Sequence, residues 1–325
     1  MKNKILKVIL TIVILGMLLI IIAKRYMYIE EGTLIVKNAI IQPYSCEIHN
    51  DYVVLTQYLG EEENVVIPHE IFGKPITTIG YECFADNKKI VTVELNENIT
   101  TIDTRAFASC SKLVEVKNGK NVEIINNTAF SSDSELQRVE VGKCIQTIGT
   151  GAFRKCGKLK FLEEQNNMKN IGQLAFNDAG INEFIFNKDA EIGSGAFNRT
   201  EWIQNQPEEF VIYGDGNLVG YNGTDKTIVI PKEVKRINGG AFEKISNVEI
   251  YVPETVTEIG DLVFIEGENI RIYIPDTVTR VGDEQENGYT IVNDNAEVTI
   301  ITTAGSIAEA HAIKYEIPYE IVEEW

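Results

Sequence analysis

Histidine is scarce in this chain. His49, His69 and His311 are its only three, and they stand far apart. A Ser-His-Asp or Cys-His arrangement needs such groups to converge, so nucleophilic catalysis of that kind has little to build on. His69-Glu70 is not followed by a second His at the zinc-helix spacing. The cysteines number five, an odd count without a Cys-x-x-Cys pair, which argues against both a zinc site and a full disulfide framework. There is no Asp-x-Asp-x-Asp-Gly calcium loop. Gly214-x-Gly216-x-x-x-Gly220 misses the dinucleotide-binding spacing by one residue and reads as a turn. No catalytic residue, cofactor or metal is expected, and the chain does not read as an enzyme.

Positive charge is also in short supply. Lysine and arginine number 30 against 48 acidic residues, for a net charge of −18. The first 25 residues hold Lys2, Lys4, Lys7, Lys24 and Arg25 and no acid. The remainder therefore carries 30 − 5 = 25 bases against 48 acids, or −23. Such a surface repels phosphate backbones, so nucleic acid is excluded as a partner.

What the chain has in abundance is a repeat. A small residue followed by Phe recurs at Cys83-Phe84, Ala106-Phe107, Ala129-Phe130, Ala152-Phe153, Ala175-Phe176, Ala196-Phe197, Ala241-Phe242 and Val263-Phe264. The phenylalanines are 23, 23, 23, 23, 21, 45 and 22 residues apart. Five residues before each stands an isoleucine: Ile79, Ile102, Ile125, Ile148, Ile171, Ile192, Ile237 and Ile259. A fixed period in this range denotes a solenoid, whose units bury their apolar faces against neighbouring units. Three residues after the Phe, the slot holds Asn87, Cys110, Asp133, Cys156 or Ala179, which reads as a small buried or turn position. Trp202 and Trp325 lie outside the pattern.

Residues 5–23 form an apolar run with Lys7 as its only charge, close to the length of a transmembrane helix. Signal peptidase requires small residues at −1 and −3. Ala23 at −1 would place Ile21 at −3, which favours an uncleaved anchor over a cleaved signal. The expectation is residues 1–25 as transmembrane anchor or signal segment and 26–50 as a juxtamembrane linker. The solenoid then fills 51–325. Within it, 51–78 is the N-terminal cap, 79–200 a run of repeats, and 201–227 a hairpin insertion with Gly214-Asp215-Gly216 at its tip. Repeats resume at 228–286, and 287–325 forms a C-terminal cap with a short helical pattern near 306–312. The fold class expected is a β-rich solenoid of short parallel strands and turns, capped at both ends and preceded by one transmembrane helix.

In-register stacking makes residues one period apart cross-strand neighbours. Glu94, Lys117 and Glu140 sit at successive offsets of 23, as do Glu115 and Arg138; Glu249 and Arg271 are 22 apart. The charges alternate in sign, and Tyr251 and Tyr273 fall side by side. With Thr92, these ten residues form the outward ladder on which a partner would dock. The alternative is that the ladder serves register alone.

The repeat resembles BspA-type leucine-rich repeats. The pattern is seen in Ile230-Pro231-x-x-Val234-x-x-Ile237-Asn-Gly-Gly-Ala241-Phe242, and again from Val252-Pro253 to Ile259-Gly260. Phe107-Ala-Ser-Cys110-Ser-Lys-Leu113 supplies the Cys-x-x-Leu part. The resemblance implies a bacterial surface or secreted protein that binds or adheres, with a protein or glycan as partner. Together with the apolar run it implies a single-pass membrane protein, held in the membrane by residues 5–23 with its C-terminal domain outside the cell, or else a secreted one. A structural spacer of the cell envelope is the alternative role.

Overall fold

The computed structural model describes residues 27–30, 33–160, 167–282, 290–292 and 295–323. The membrane span expected at 5–23 lies outside them. Among the described residues no helix is long and apolar enough to cross a membrane.

The chain winds as a solenoid with two parallel ladders. The isoleucine ladder of the first half joins Lys74–Ile79, Thr101–Ile102, Ile124–Ile125, Thr147–Ile148, Asn170–Ile171 and Glu191–Ile192. The face ladder joins Asn64–Val66, Thr92–Glu94, Glu115–Gly119 and Arg138–Val141. Each ladder turns one apolar side inward, so Ile102, Ile125 and Ile148 and Val93, Val116 and Val139 are all buried.

Between the two ladders of each unit runs the phenylalanine row. Phe84, Phe107, Phe130, Phe153, Phe176 and Phe197 stack with ring centroids 4.9, 5.1, 5.2, 5.4 and 5.3 Å apart. The expected ring-on-ring stacking is therefore the observed arrangement, and it continues at 5.9 Å between Phe242 and Phe264. The backbone fixes this spacing as well: the Phe107 N–H donates to the Ala129 carbonyl at 2.8 Å, and Phe130 to Ala152 likewise.

A local device recurs at each ring. The residue two before the Phe has positive φ, at Glu82, Arg105, Thr128, Gly151, Leu174, Gly195, Gly240 and Leu262. So does the residue two after it, at Asp86, Ser109, Ser132, Lys155, Asp178, Arg199, Lys244 and Glu266. Two left-handed residues turn the chain sharply on either side of the ring. Such φ values disfavour most side chains, so packing and the inter-unit hydrogen bonds hold them there.

The segment expected as a linker is instead folded. Met27–Glu30, Thr33–Ile41, Tyr44–Ile48 and Val53–Tyr58 form an antiparallel run, and Val53–Tyr58 joins the isoleucine ladder in parallel. Tyr44 and Tyr58 are buried, and Tyr58 stacks on Phe84 at 5.0 Å, closing the open end of the phenylalanine row.

The expected hairpin is present as Phe210–Tyr213 against Asn217–Tyr221, with Gly214 and Gly216 both at positive φ. Its second strand opens a new isoleucine ladder with Arg236–Ile237, Glu258–Ile259 and Arg280–Val281. A second face ladder joins Thr227–Val229, Ser246–Tyr251, Glu268–Tyr273, Val298–Thr302 and Tyr319–Ile321. The helix Ile307–Lys314 covers the end. The Ser306 hydroxyl accepts from the Glu309 N–H at 3.1 Å, and the Glu309 carboxylate reaches back to the Gly305 N–H.

Two core clusters meet at the hairpin, the first reaching Val219 and the second starting at Leu218. Trp202, outside the repeat in sequence, belongs to the first cluster, where it packs against Phe186, Phe197 and Tyr213. It is fully buried, lies on Phe197 at 3.9 Å, and donates from Nε1 to the Phe184 carbonyl at 2.8 Å.

Candidate interaction face

The ten ladder residues sit on the two face ladders in nearly the expected register. Thr92 is opposite Glu115, Glu94 opposite Lys117, and Glu115 opposite Arg138. In the second half Glu249 is opposite Arg271 and Tyr251 opposite Tyr273. Lys117 and Glu140 depart from expectation. Asn118, at φ 61, makes a bulge, so that Gly119 pairs with Val141 and Glu140 is displaced. Glu140 instead accepts from the Asn118 N–H at 2.8 Å, while the Asn118 side chain donates to Glu94 at 2.8 Å.

The charges pair loosely in the first half. Lys117 lies 3.3 Å from Glu115 on its own strand, and Arg138 lies 3.8 Å from both Glu115 and Glu140. In the second half Arg271 stands 4.0 Å from Glu249 but makes a two-pronged pair with Glu320 on the terminal strand, both bonds at 2.8 Å. That pair, with burial opposing it, holds the Glu320 carboxyl below its usual range. Tyr251 and Tyr273 stack at 4.3 Å with planes 9° apart.

Two features of the face escaped the sequence reading. The outward row is apolar in its later part: Val229 stands opposite Tyr251, and it and Ile185 are each 66% exposed. Ile185 sits in Phe184-Ile185-Phe186 where Glu140 sits in Val139-Glu140-Val141, and that alternation was the available signal. The second feature is a charge row on the isoleucine side. Arg236, Glu258 and Arg280 follow one another at offsets of 22, and both guanidiniums reach Glu258 Oε2 at 2.7 Å. Applying the same offset rule to the isoleucine strands finds it.

The three histidines are dispersed. His49 stacks on Tyr52, His69 lies 2.8 Å from Glu97, and His311 is buried in the C-terminal cap. Among the described residues no group of three His, Cys, Asp or Glu side chains is placed to hold a metal ion. Where the repeat breaks, a cleft of about 310 Å³ opens beside Phe197, lined by Arg199, Gln204, Tyr221 and Glu243. Glu243 there accepts from the Arg199 backbone N–H at 2.9 Å and lies 3.1 Å from Lys244, while the Arg199 guanidinium turns to Asp178 at 3.5 Å.

No curated protein matches the chain. Among solved structures, the pneumococcal vaccine antigen PcpA is similar at 16% identity and a TM-score of 0.52, with 91% of this chain and 98% of that one covered. A leucine-rich cell surface protein from Faecalibacterium prausnitzii is similar at 20% identity and a TM-score of 0.47, covering 88% and 97%. The BspA type leucine rich repeat region matches in six copies over residues 77–204 and 221–303, and the chain belongs to that family.

Proposed function

We propose that this protein is a non-enzymatic surface module that binds a protein partner through its face ladders, chiefly in the second half. The observation that supports this reading is the outward row Val229, Tyr251 and Tyr273, apolar and aromatic, on strands held in continuous parallel register. Exposed contiguous apolar side chains on a rigid sheet are a common mark of a docking surface, and tyrosine and arginine are the residue types that dominate such contacts. Arg271, Glu249 and Glu320 border the row and supply directional polar contacts. The ladder of the first half, Thr92, Glu94, Glu115, Lys117, Arg138 and Glu140, extends the surface and gives it a mixed charge.

Display at the cell surface, with residues 5–23 as a membrane anchor, fits the apolar run and the habit of the family. The test is capture of envelope and extracellular-matrix proteins by the protein and by two variants. Tyr251→Ala with Tyr273→Ala is expected to abolish capture while circular dichroism stays unchanged. Arg138→Glu is expected to weaken it less. Equal capture by all three, or capture of glycans alone, would overturn the reading.

A further inference from the structure

In two units the slot three residues after the repeat phenylalanine donates a hydrogen bond across the stack. At Cys110 the thiol donates to the Phe84 carbonyl one coil earlier, at 3.1 Å, and at Cys156 it donates to the Phe130 carbonyl at 3.0 Å. Between them in the stack is Asp133, with 0% exposure. Its Oδ1 accepts from the Cys110 N–H at 2.7 Å. Its Oδ2 is buried, and as a carboxylate oxygen it has no hydrogen-bond donor. The carbonyl that corresponds to those of Phe84 and Phe130 at this level is that of Phe107, 26 residues back, as 84 is from 110 and 130 from 156. A charged carboxylate cannot donate to a carbonyl. A neutral carboxylic acid can accept from the Cys110 N–H at one oxygen and donate from the other, as the thiols at 110 and 156 donate at their own levels.

We propose that Asp133 is carried as the neutral acid in the folded solenoid, its Oδ2 hydroxyl donating to the Phe107 carbonyl, so that folding of these coils is coupled to uptake of one proton. The surroundings agree. Burial raises the proton affinity of the Asp133 carboxyl well above the usual range, while the Cys110 N–H and Lys88 act weakly the other way. Lys88 is itself exposed, beside Asp86, and donates to the Ser109 carbonyl at 2.8 Å. The nearest other titratable groups are the thiols of Cys110 and Cys156, both pushed upward chiefly by burial and so neutral. An isolated carboxylate among neutral groups gains its stability by taking a proton rather than by pairing.

The coupling makes this part of the solenoid tighter in acid. The unfolded carboxyl sheds its proton near pH ~4, whereas the folded one keeps it, so the unfolded state is favoured progressively as pH rises above that point. The full-length chain and its Asp133→Asn and Asp133→Cys variants test this by infrared spectroscopy and by denaturant unfolding. The Asp133→Asn amide can accept at one atom and donate from the other, the Asp133→Cys thiol can donate as at 110 and 156, and neither carries a carboxyl that titrates between about pH 5 and 7. The expected result is a protonated-carboxyl carbonyl band at neutral pH that disappears in a variant. The variant-to-parent ratio of folding constants should also rise about tenfold per pH unit between about pH 5 and 7. Should Asp133→Asn fail to fold, Asp133→Cys carries the same comparison, because cysteine already fills the slot at 110 and 156. Absence of the band in the parent, or parallel pH profiles for parent and variant, would overturn the proposal.

Discussion

The two halves of this solenoid use one architecture with different tolerances. Before the hairpin, six phenylalanine rings stack at 4.9–5.4 Å, and units mostly recur every 23 residues. After it, two rings stack at 5.9 Å, 22 residues apart. In the first half a bulge at Asn118 breaks the register of the face, while in the second Val248–Tyr251 pairs without interruption against Ile270–Tyr273. The first half is thus regular in its ring stack and irregular on its face, and the second is the reverse. Phe84, Phe107, Phe130, Phe153 and Phe176 are among the largest fully buried side chains, so the first half has the more regular core. A continuous face presents side chains at fixed spacing, which suits the second half to recognition.

Trp202→Ala is the strongest way to break this division. It removes a fully buried ring from the first core next to the hairpin and is expected to cost roughly 5 kcal/mol. Unfolding followed by both circular dichroism and hydrogen exchange should then show two steps in place of one. A single cooperative transition in the variant would mean the halves are coupled through the backbone instead. Next comes a pair of ring deletions. Phe153 is stacked on both sides and Phe264 chiefly on one, so Phe153→Ala should lose about 4 kcal/mol and Phe264→Ala about 3. Denaturation midpoints check the order.

Acid should separate the halves in opposite directions. His311 sits in the C-terminal cap, its Nε2 3.0 Å from the Thr290 hydroxyl and its ring against Tyr315. Burial, aided by Lys314, lowers its pKa to about 4. An unfolded histidine binds its proton near pH ~6.5, so between those values the unfolded state holds more protons and stability falls as pH falls. Hydrogen-exchange protection factors in the cap should fall at about pH 5, with a loss of about 2 kcal/mol relative to neutral pH, and His311→Gln should remove the effect. The coils around Asp133 are expected to respond the other way.

Two smaller effects complete the series. Thr128 is a β-branched residue at φ 53, and Thr128→Gly should relieve that strain and stabilise the fold by up to about 1 kcal/mol. At Gly195, φ 64, any side chain would meet Leu174 and Asn198, so substitution there should destabilise. Arg271→Ala removes an exposed pair with Glu320, and a loss of stability under about 1 kcal/mol is expected in a thermal melt.

The ring stack and most of the face register were legible because both follow from period alone. Ile at five before Phe and apolar residues in alternation leave one way to bury the apolar side. The turns were less legible. Only Gly151, Gly195 and Gly240 announce the left-handed position before the ring, while Glu82, Arg105, Thr128, Leu174 and Leu262 adopt it without any local preference. Trp202 and Glu320 gave no signal, since neither obeys the repeat and each finds its partner only across the fold.

Periodic spacing by itself thus determined the coil, its ladders and which side of each strand faces inward, because hydrophobic burial depends on little more than position within the period. Tertiary structure decided the rest. It folded Tyr44–Ile48 and Val53–Tyr58 onto the open end, placed a tryptophan from outside the repeat in the first core, and shifted one rung by a bulge. These outcomes depend on contacts between residues that are distant in sequence or exempt from the repeat, and packing rather than pattern selects them.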